Sequence, residues 1–407
     1  MSSQFDVIVT GGGPSGSTAA NLLAQGGARV LLLEKAVFPR FHIGESLLPC
    51  DVPVFDRLGV TLEGEAQHLR KGGAEFLLEA EGLRSEFPFH DSLAGTQSHA
   101  FQVERATFDL ALLEAAMERG VDVHQGERVR KVEADADGVR VESDRDVYRG
   151  RYLIDATGQD ALMARQHRTR RSLKDFGMAA VFRHFADLRP AAVAELEATG
   201  NILILFVDQG WMWAIPLGGG RLSVGLVTRR KGISDDWLDA AIAASPTLSR
   251  LLEGATPEAA PGRIGSYSFH NDRPAGARWV CVGDAACFLD PVFSSGVSFG
   301  MVGAAHAADV LLGAGFAEGR EADPALMEGH KDWMNRGYTV FGSMIRALYE
   351  GRGLVPDIFF TPARKDNDLL RKGVTSVLAG DLWRDDNRFQ ESLLRNRRRR
   401  FDVSAAA

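Results

Sequence analysis

Three glycines, Gly11, Gly13 and Gly16, stand in a G-x-G-x-x-G pattern inside GGGPSG, directly after the apolar run FDVIVT. The helix-like STAANLLAQGGA follows, then a second apolar run, RVLLLEK, which Glu34 closes. Glycines at these places permit a tight turn, close approach of backbone to a pyrophosphate, and close helix-to-strand packing. The helix start then turns its unpaired N–H groups toward the phosphates. An acid about twenty residues after the glycines is placed to hydrogen-bond ribose hydroxyls. In this strand–helix–strand context the pattern predicts a bound dinucleotide, and leaves FAD and NAD both open.

A second feature is GWMWAIP at 210–216, where two of the chain's six tryptophans alternate along a predicted strand. Trp211, Trp213 and Ile215 would share one face and form a flat apolar wall. Such a wall either packs an ordinary core or bounds a reaction chamber. The ten histidines are scattered, with no Ser/His/Asp arrangement and no metal-like spacing. His42 alone is singled out, as a cap of its loop or a neighbour of the cofactor. Cys50, Cys281 and Cys287 show no CxxC spacing, which favours a reducing cytoplasm over a disulfide framework or a zinc site. The net charge of −7 makes nucleic acid a poor partner, and RNRRRR at 395–400 reads as a solvated tail. No uninterrupted apolar run reaches the roughly 18 residues of a membrane span, and with FDVIVTGGG read as a strand no cleavable signal is visible.

Further segments choose the cofactor. GDAACFLDP (283–291) follows RWVCVG and precedes the small-residue helix GVSFGMVGAAHAADVLL; DATG lies at 155–158 and QVERATFD at 102–109. These segments resemble FAD-dependent enzymes of the p-hydroxybenzoate hydroxylase-like fold. The resemblance implies that Asp284 binds the ribityl chain and that Arg105 lies beside the cofactor. It also directs the helix N-terminus at the flavin pyrimidine edge, where the positive end of the dipole steadies a reduced, anionic ring.

The W-x-W-x-I-P stretch, FHIGESLLP (41–49) and DPVFSSGVSFGM (290–301) are similar, in the same order, to flavin-dependent halogenases of the phenol and carrier-tethered-substrate branch. What this implies is chemistry with FAD as FADH2, O2, and chloride or bromide. The flavin C4a-hydroperoxide would oxidise the halide to hypohalous acid, which a lysine then holds near an electron-rich aromatic. In HLRKGGAEF the matching lysine is Lys71; the strand register decides whether it or Arg70 points inward, and only lysine shifts its pKa readily on burial. Trp211 and Trp213 become a spacer between flavin and substrate. The implied cofactor contacts are Gly11, Gly13, Ser15, Gly16, Glu34 and Lys35 at the nucleotide half. At the flavin half they are His42, Ser46, Arg105, Asp284, Pro291, Gly296 and Val297. Backbone N–H groups around Ser294, Ser295 and Gly296 would seat the halide.

The tryptophan-halogenase branch carries an acid just before its small-residue turn, whereas here Phe293 stands close to the turn and Asp290 further back. A phenol or pyrrole, free or tethered to an acyl or peptidyl carrier protein, is therefore expected rather than free tryptophan. Hydroxylases that take hydride from NADPH themselves carry a DG dipeptide after the cofactor strand; DATGQDALMARQ lacks it, which points to a separate NAD(P)H-dependent flavin reductase. The alternatives are an aromatic hydroxylase, a prenyl-chain reductase, or a flavin-binding protein without turnover.

The elements that must position these residues make an α/β (α+β) protein. A Rossmann-like FAD-binding domain is expected in three pieces, 1–72, 99–165 and 262–315. An antiparallel-sheet substrate domain takes 73–98 and 166–261, traced by NILILFVDQ, WMWAIPL and RLSVGLVT with EFLLEA and RSEFPF added. A helical C-terminal region takes 316–407. Its Trp333, Met334, Tyr338, Phe341 and Met344 recur at helical spacing and either line a pocket or simply pack.

Overall fold

The computed structural model describes residues 4–65, 67–135, 137–174, 176–177, 179–320, 323–350, 359–360, 368–396 and 400–403. Two large sheets organise it. The first has the strand order 275–276, Trp279–Cys281, Val147–Asp155, Phe5–Thr10, Val30–Glu34, Asp122–Gln125. The five strands from Trp279–Cys281 to Asp122–Gln125 run parallel; the edge at 275–276 and the hairpin Val129–Ala134 and Val139–Ser143, which pairs with Val147–Asp155, are antiparallel. FDVIVT and VLLLE are apolar almost without a break because helices cover the sheet, the expected pattern for parallel strands buried on both faces. The helix Pro14–Gln25 packs between Arg105–Glu118 and Ser295–Gly313, so the glycine loop and the later GD segment meet at one end of the sheet.

The second sheet runs 256–257, Ala179–Ala186, Arg221–Thr228, Gly210–Leu217, Ile202–Val207, Gly73–Leu78, Leu83–Pro88. It is antiparallel except where Gly73–Leu78 lies parallel to Ile202–Val207. The strand carrying the tryptophans is central, and the period of two sorts its residues. Trp211, Trp213 and Ile215 join the core that also contains the flank of the first sheet. Met212 and Ala214 join a separate core under the helices Pro190–Glu197, Asp235–Ala244 and Pro246–Leu251. A one-residue slip would exchange these faces, so burial on both sides fixes the register.

Toward the C-terminus lie the helices Glu328–Glu350, Asp368–Leu378 and Arg388–Arg395. Met334, Tyr338, Phe341 and Met344 are buried, and Trp333 stacks on Trp383 at 4.0 Å, so this face packs. Of the basic run, residues 397–399 lie outside the described residues. Among the described residues one helix, Ser295–Gly313, is long and apolar enough to cross a membrane, where the sequence showed no single uninterrupted run; 56% of its apolar window is buried inside the protein. Small residues and glycines let it sit close against Pro14–Gln25, and this packing explains its composition.

Candidate active site

A cleft of about 1000 Å³ opens between the two sheets. At one end it is lined by Gly11, Gly13, Ser15, Glu34 and Lys35, at the other by Trp211, Trp213, Pro291, Ser294, Gly296 and Val297. His42, Ser46, Arg105 and Asp284 line it between these ends. Most of the expected cofactor contacts thus share one cavity, although they come from segments up to 286 positions apart. Gly16 and Ser295 stand behind its wall rather than on it.

At Gly11 and Gly16 the cradle at the nucleotide end can admit no side chain. Gly11 has φ +98, and a Cβ there would lie 2.3 Å from the Ala156 carbonyl oxygen; at Gly16 it would lie 1.8 Å from the Gly11 carbonyl oxygen. Glu34 tightens the same loop by accepting from the N–H of Gly12 at 2.6 Å and of Ala36 at 2.7 Å. Lys35 is paired with Asp160 at 2.5 Å. Asp284, half-buried on the cleft wall, accepts from Gln159 Nε2 at 2.9 Å. A cavity of this size, a glycine turn that brings backbone close at its nucleotide end and two helix N-termini at its wall fit FAD.

The loop over the cleft is clamped rather than free. Arg105 Nε and Nη2 donate to the two oxygens of Asp109 at 2.7 and 2.9 Å, and Nη1 donates to the carbonyls of Ile43 and Gly44. Arg40 adds a second ion pair to Asp109 at 2.8 Å, so that carboxyl stays below its usual range despite burial. His42 is exposed to the cleft, yet the desolvating protein around it and the neighbouring Arg105 charge push its pKa down to about 4. It is therefore a neutral imidazole at physiological pH. At the loop's far end Glu45 meets His184 Nε2 at 2.5 Å; burial disfavours the imidazolium, but the carboxylate outweighs it and holds the pKa above the ordinary value. Arg105→Ala should free the 43–44 backbone and weaken FAD retention by about tenfold, as charged hydrogen bonds contribute; flavin fluorescence on titration reads this directly.

At the other end the indoles form the expected wall. Trp213 lies flat across Gly225 of the next strand, where a Cβ would come within 2.2 Å of the ring, and its Nε1 donates to Ser223 Oγ at 3.2 Å. Trp211 Nε1 donates to Tyr349 Oη at 2.9 Å, and Tyr349 donates to Asp290 Oδ2 at 2.9 Å. The wall is thus pinned at Trp211 from the helix Glu328–Glu350 and at Trp213 from the next strand. Asp290 also accepts from the N–H groups of Gly177 and Val292; burial still pushes its pKa up to about 6. Beyond it Ser294, at φ +58, turns the chain into the helix Ser295–Gly313. The first-turn N–H groups of that helix, at Gly296 and Val297, open at the cleft wall, where an anion is favoured.

The register of the short strand His68–Lys71 against Ala100–Val103 decides between its two cations. Arg70 is 60% exposed in its side chain, whereas Lys71 is 1% exposed. Lys71 Nζ donates to Ser46 Oγ and to the Leu47 carbonyl, both at 2.8 Å, and lies 5.4 Å from the Phe89 ring centroid. Burial pulls its pKa down to about 7, against the raising influence of Asp51 and then Cys50. The amine thus sits behind the loop that lines the cleft, one hydrogen bond from the cleft-lining Ser46.

A profile of the tryptophan halogenase family matches residues 6–90 and 79–353, most of the chain. The chain belongs to this family. A tryptophan 2-halogenase from Chondromyces crocatus is 33% identical over 333 residues, 76% of this chain but 61% of the relative's own length. A 1H-pyrrole-2-carbonyl-(peptidyl-carrier protein) brominase from Pseudoalteromonas luteoviolacea (strain 2ta16) is 31% identical over 397 residues, 92% of each chain. Among solved structures, the flavin-dependent brominase Bmp2 superposes with a TM-score of 0.82 at 27% identity, over 96% of this chain and 97% of that one. The protein is accordingly an FAD-dependent halogenase, an oxidoreductase that uses chloride or bromide to halogenate an aromatic.

Several groups in the halogenase's site escaped the sequence reading. Arg40 and Asp109 complete the Arg105 clamp, Glu45 and His184 latch the loop, and Tyr349 joins Trp211 to Asp290. Asp51, fully buried, is an acid inside the apolar run LLPCDVPVF. That misfit in composition was its one visible signal, since a buried acid is rare without a partner.

Proposed function

We propose that this halogenase chlorinates or brominates an electron-rich phenol or pyrrole ring, free or carrier-tethered, with reduced flavin delivered by a separate NAD(P)H-dependent reductase. Bound reduced FAD supplies, with O2, the oxidising equivalents for the halide. The first-turn N–H groups of Gly296 and Val297, with the Ser294–Ser295 turn, hold the halide anion. Trp211 and Trp213, pinned through Ser223 and Tyr349, exclude the organic ring from the flavin end. Lys71 holds the hypohalous acid, as hydrogen-bond donor or as chloramine, and presents it to the ring. The observation that carries this reading is the seat of Lys71: buried, bonded to Ser46 and Leu47, and set apart from the cleft itself. An amine in direct line with the flavin would serve direct oxygen transfer as well; one behind the loop serves a small oxidant that travels.

The phenol or pyrrole class draws support from Asp290, whose carboxyl is engaged by Gly177, Val292 and Tyr349 and is poorly placed to take an indole proton. The carrier-tethered pyrrole acted on by the Pseudoalteromonas relative supports the same class. We read the first sheet and its helices, residues 1–72, 99–165 and 262–315, as the FAD-binding domain. The second sheet is then the substrate domain and 316–407 its cover. Cys50, Cys281 and Cys287 are free thiols, in keeping with a reducing cytoplasm. The test is incubation with a flavin reductase, NADH, halide, and a panel of phenols and pyrroles, free and carrier-bound. Mass spectrometry should show halogen isotope patterns in the product. Hydroxylated products at every halide concentration would overturn the reading.

A further inference from the structure

We propose that Asp51 is the positioning residue of Lys71, acting through the peptide group between Leu47 and Leu48 to set the orientation and charge of the amine. The proposal rests on the role given above to Lys71. Its basis is a shared peptide. Lys71 Nζ donates to the carbonyl oxygen of Leu47 at 2.8 Å, and the N–H of Leu48 donates to Asp51 Oδ2 at 3.1 Å. That oxygen and that N–H belong to one planar, resonance-coupled amide. A cation at its oxygen and an anion at its N–H polarise the same dipole in the same sense, so each hydrogen bond strengthens the other.

Ser298 Oγ donates to the same Oδ2 at 2.6 Å. Ser298 lies in the opening turn of the helix Ser295–Gly313, whose N-terminus is the proposed halide seat. One carboxyl therefore ties the lysine's loop to the anion-binding helix. Its second oxygen, Oδ1, is buried and has no hydrogen-bond partner. A side chain kept only for shape would not leave an acceptor stranded, because an unpaired buried oxygen destabilises the fold. Burial pushes the Asp51 pKa up to about 6, while Ser298, Leu48 and Lys71 pull the other way. The other titratable groups acting here are Cys50 beside Asp51 and, beyond it, Asp381. Neither Cys50 nor Asp381 lines the cleft.

The deciding variant is Asp51→Asn, which keeps an oxygen for Leu48 and Ser298 but removes the charge. With the negative charge gone, Lys71 should lose its proton more readily. The lysine-linked limb of the halogenation kcat profile should then move to lower pH by about one pH unit, the scale of a nearby opposite charge. Peroxide formation by the same variant should keep its profile. Its melting temperature at pH 8, measured on the FAD-loaded chain, should equal or exceed that of the parent, because a buried carboxylate charge with one oxygen left without a hydrogen bond has been removed. Ser298→Ala, a smaller perturbation of the same carboxyl, should shift the limb in the same direction and by less. An unmoved limb in both variants, or a lowered melting temperature with an unmoved limb, would overturn the proposal. If Lys71→Ala itself retains halogenation, the role of Lys71 fails instead, so the two failures are distinguishable.

Discussion

Replacing Lys71 by alanine should lower halogenation by about 10²–10⁴-fold, the usual contribution of a positioned proton-transfer or nucleophilic group. FAD should remain bound, and NADH-driven hydrogen peroxide should still form with reductase present. The reason is placement: Lys71 touches Ser46, Leu47 and the Phe89 ring, and the cavity that fits FAD is walled by other residues. Its pKa near 7 also matters, because at physiological pH both amine and ammonium are present, as either mode of holding the oxidant requires. The stability effect has a definite sign. A lysine whose folded pKa lies below its unfolded one disfavours folding in full below about pH 7, where an ammonium must be kept buried, and the penalty fades as pH rises toward the unfolded value. Removing it should thus raise the melting temperature most below about pH 7 and leave only the loss from the cavity that alanine leaves at alkaline pH. Lys71→Arg should be inactive as well, since guanidinium stays protonated and does not fit a sealed seat built for one ammonium. Retained chlorination in the alanine variant, by mass spectrometry, would remove Lys71 from the reaction.

The reach of the sequence follows from the distance over which each feature is encoded. The glycine loop, its strand, helix and Glu34 lie within thirty-five residues, and local pattern sufficed to read them. Trp211 and Trp213 were legible as one face because strand period is strict, and the two separate cores on either side of Met212 and Trp213 bear this out. The choice between Arg70 and Lys71 was not legible, because a four-residue strand has no periodicity of its own; pairing with Ala100–Val103 decides it. Contacts across the chain were hidden altogether. Ser298 meets Asp51 from 247 positions away, Tyr349 reaches Trp211 from 138, and His184 reaches Glu45 from 139. Each joins a recognisable motif to a residue that no motif contains. Sequence therefore named the motif residues that meet at the cleft, and their partners emerged only from packing.

Gly16→Ala should abolish FAD retention while leaving most of the chain folded, a loss of at least about a hundredfold in affinity by the roughly 1.4 kcal/mol per factor of ten that governs binding. The added Cβ would lie 1.8 Å from the Gly11 carbonyl oxygen and 3.2 Å from Ala156 Cβ. Neither neighbour can yield independently: Gly11 is held at φ +98 with its N–H on the Leu33 carbonyl, and the Ala156 N–H donates to Thr10. Relief must come from moving the helix Pro14–Gln25 away from the strand end, which displaces the N–H groups that would face the pyrophosphate. The helix is also wedged between Arg105–Glu118 and Ser295–Gly313, so a shift there reaches the Arg105 clamp and the Ser294–Ser295 turn together. Gly329→Ala is the matched control, since nothing lies within 4 Å of a Cβ at that helical position. Visible absorbance of the purified protein compares the two. A flavin-loaded Gly16→Ala protein with parental affinity would mean that the loop opens without cost, and would remove close backbone approach as the reason for glycine there.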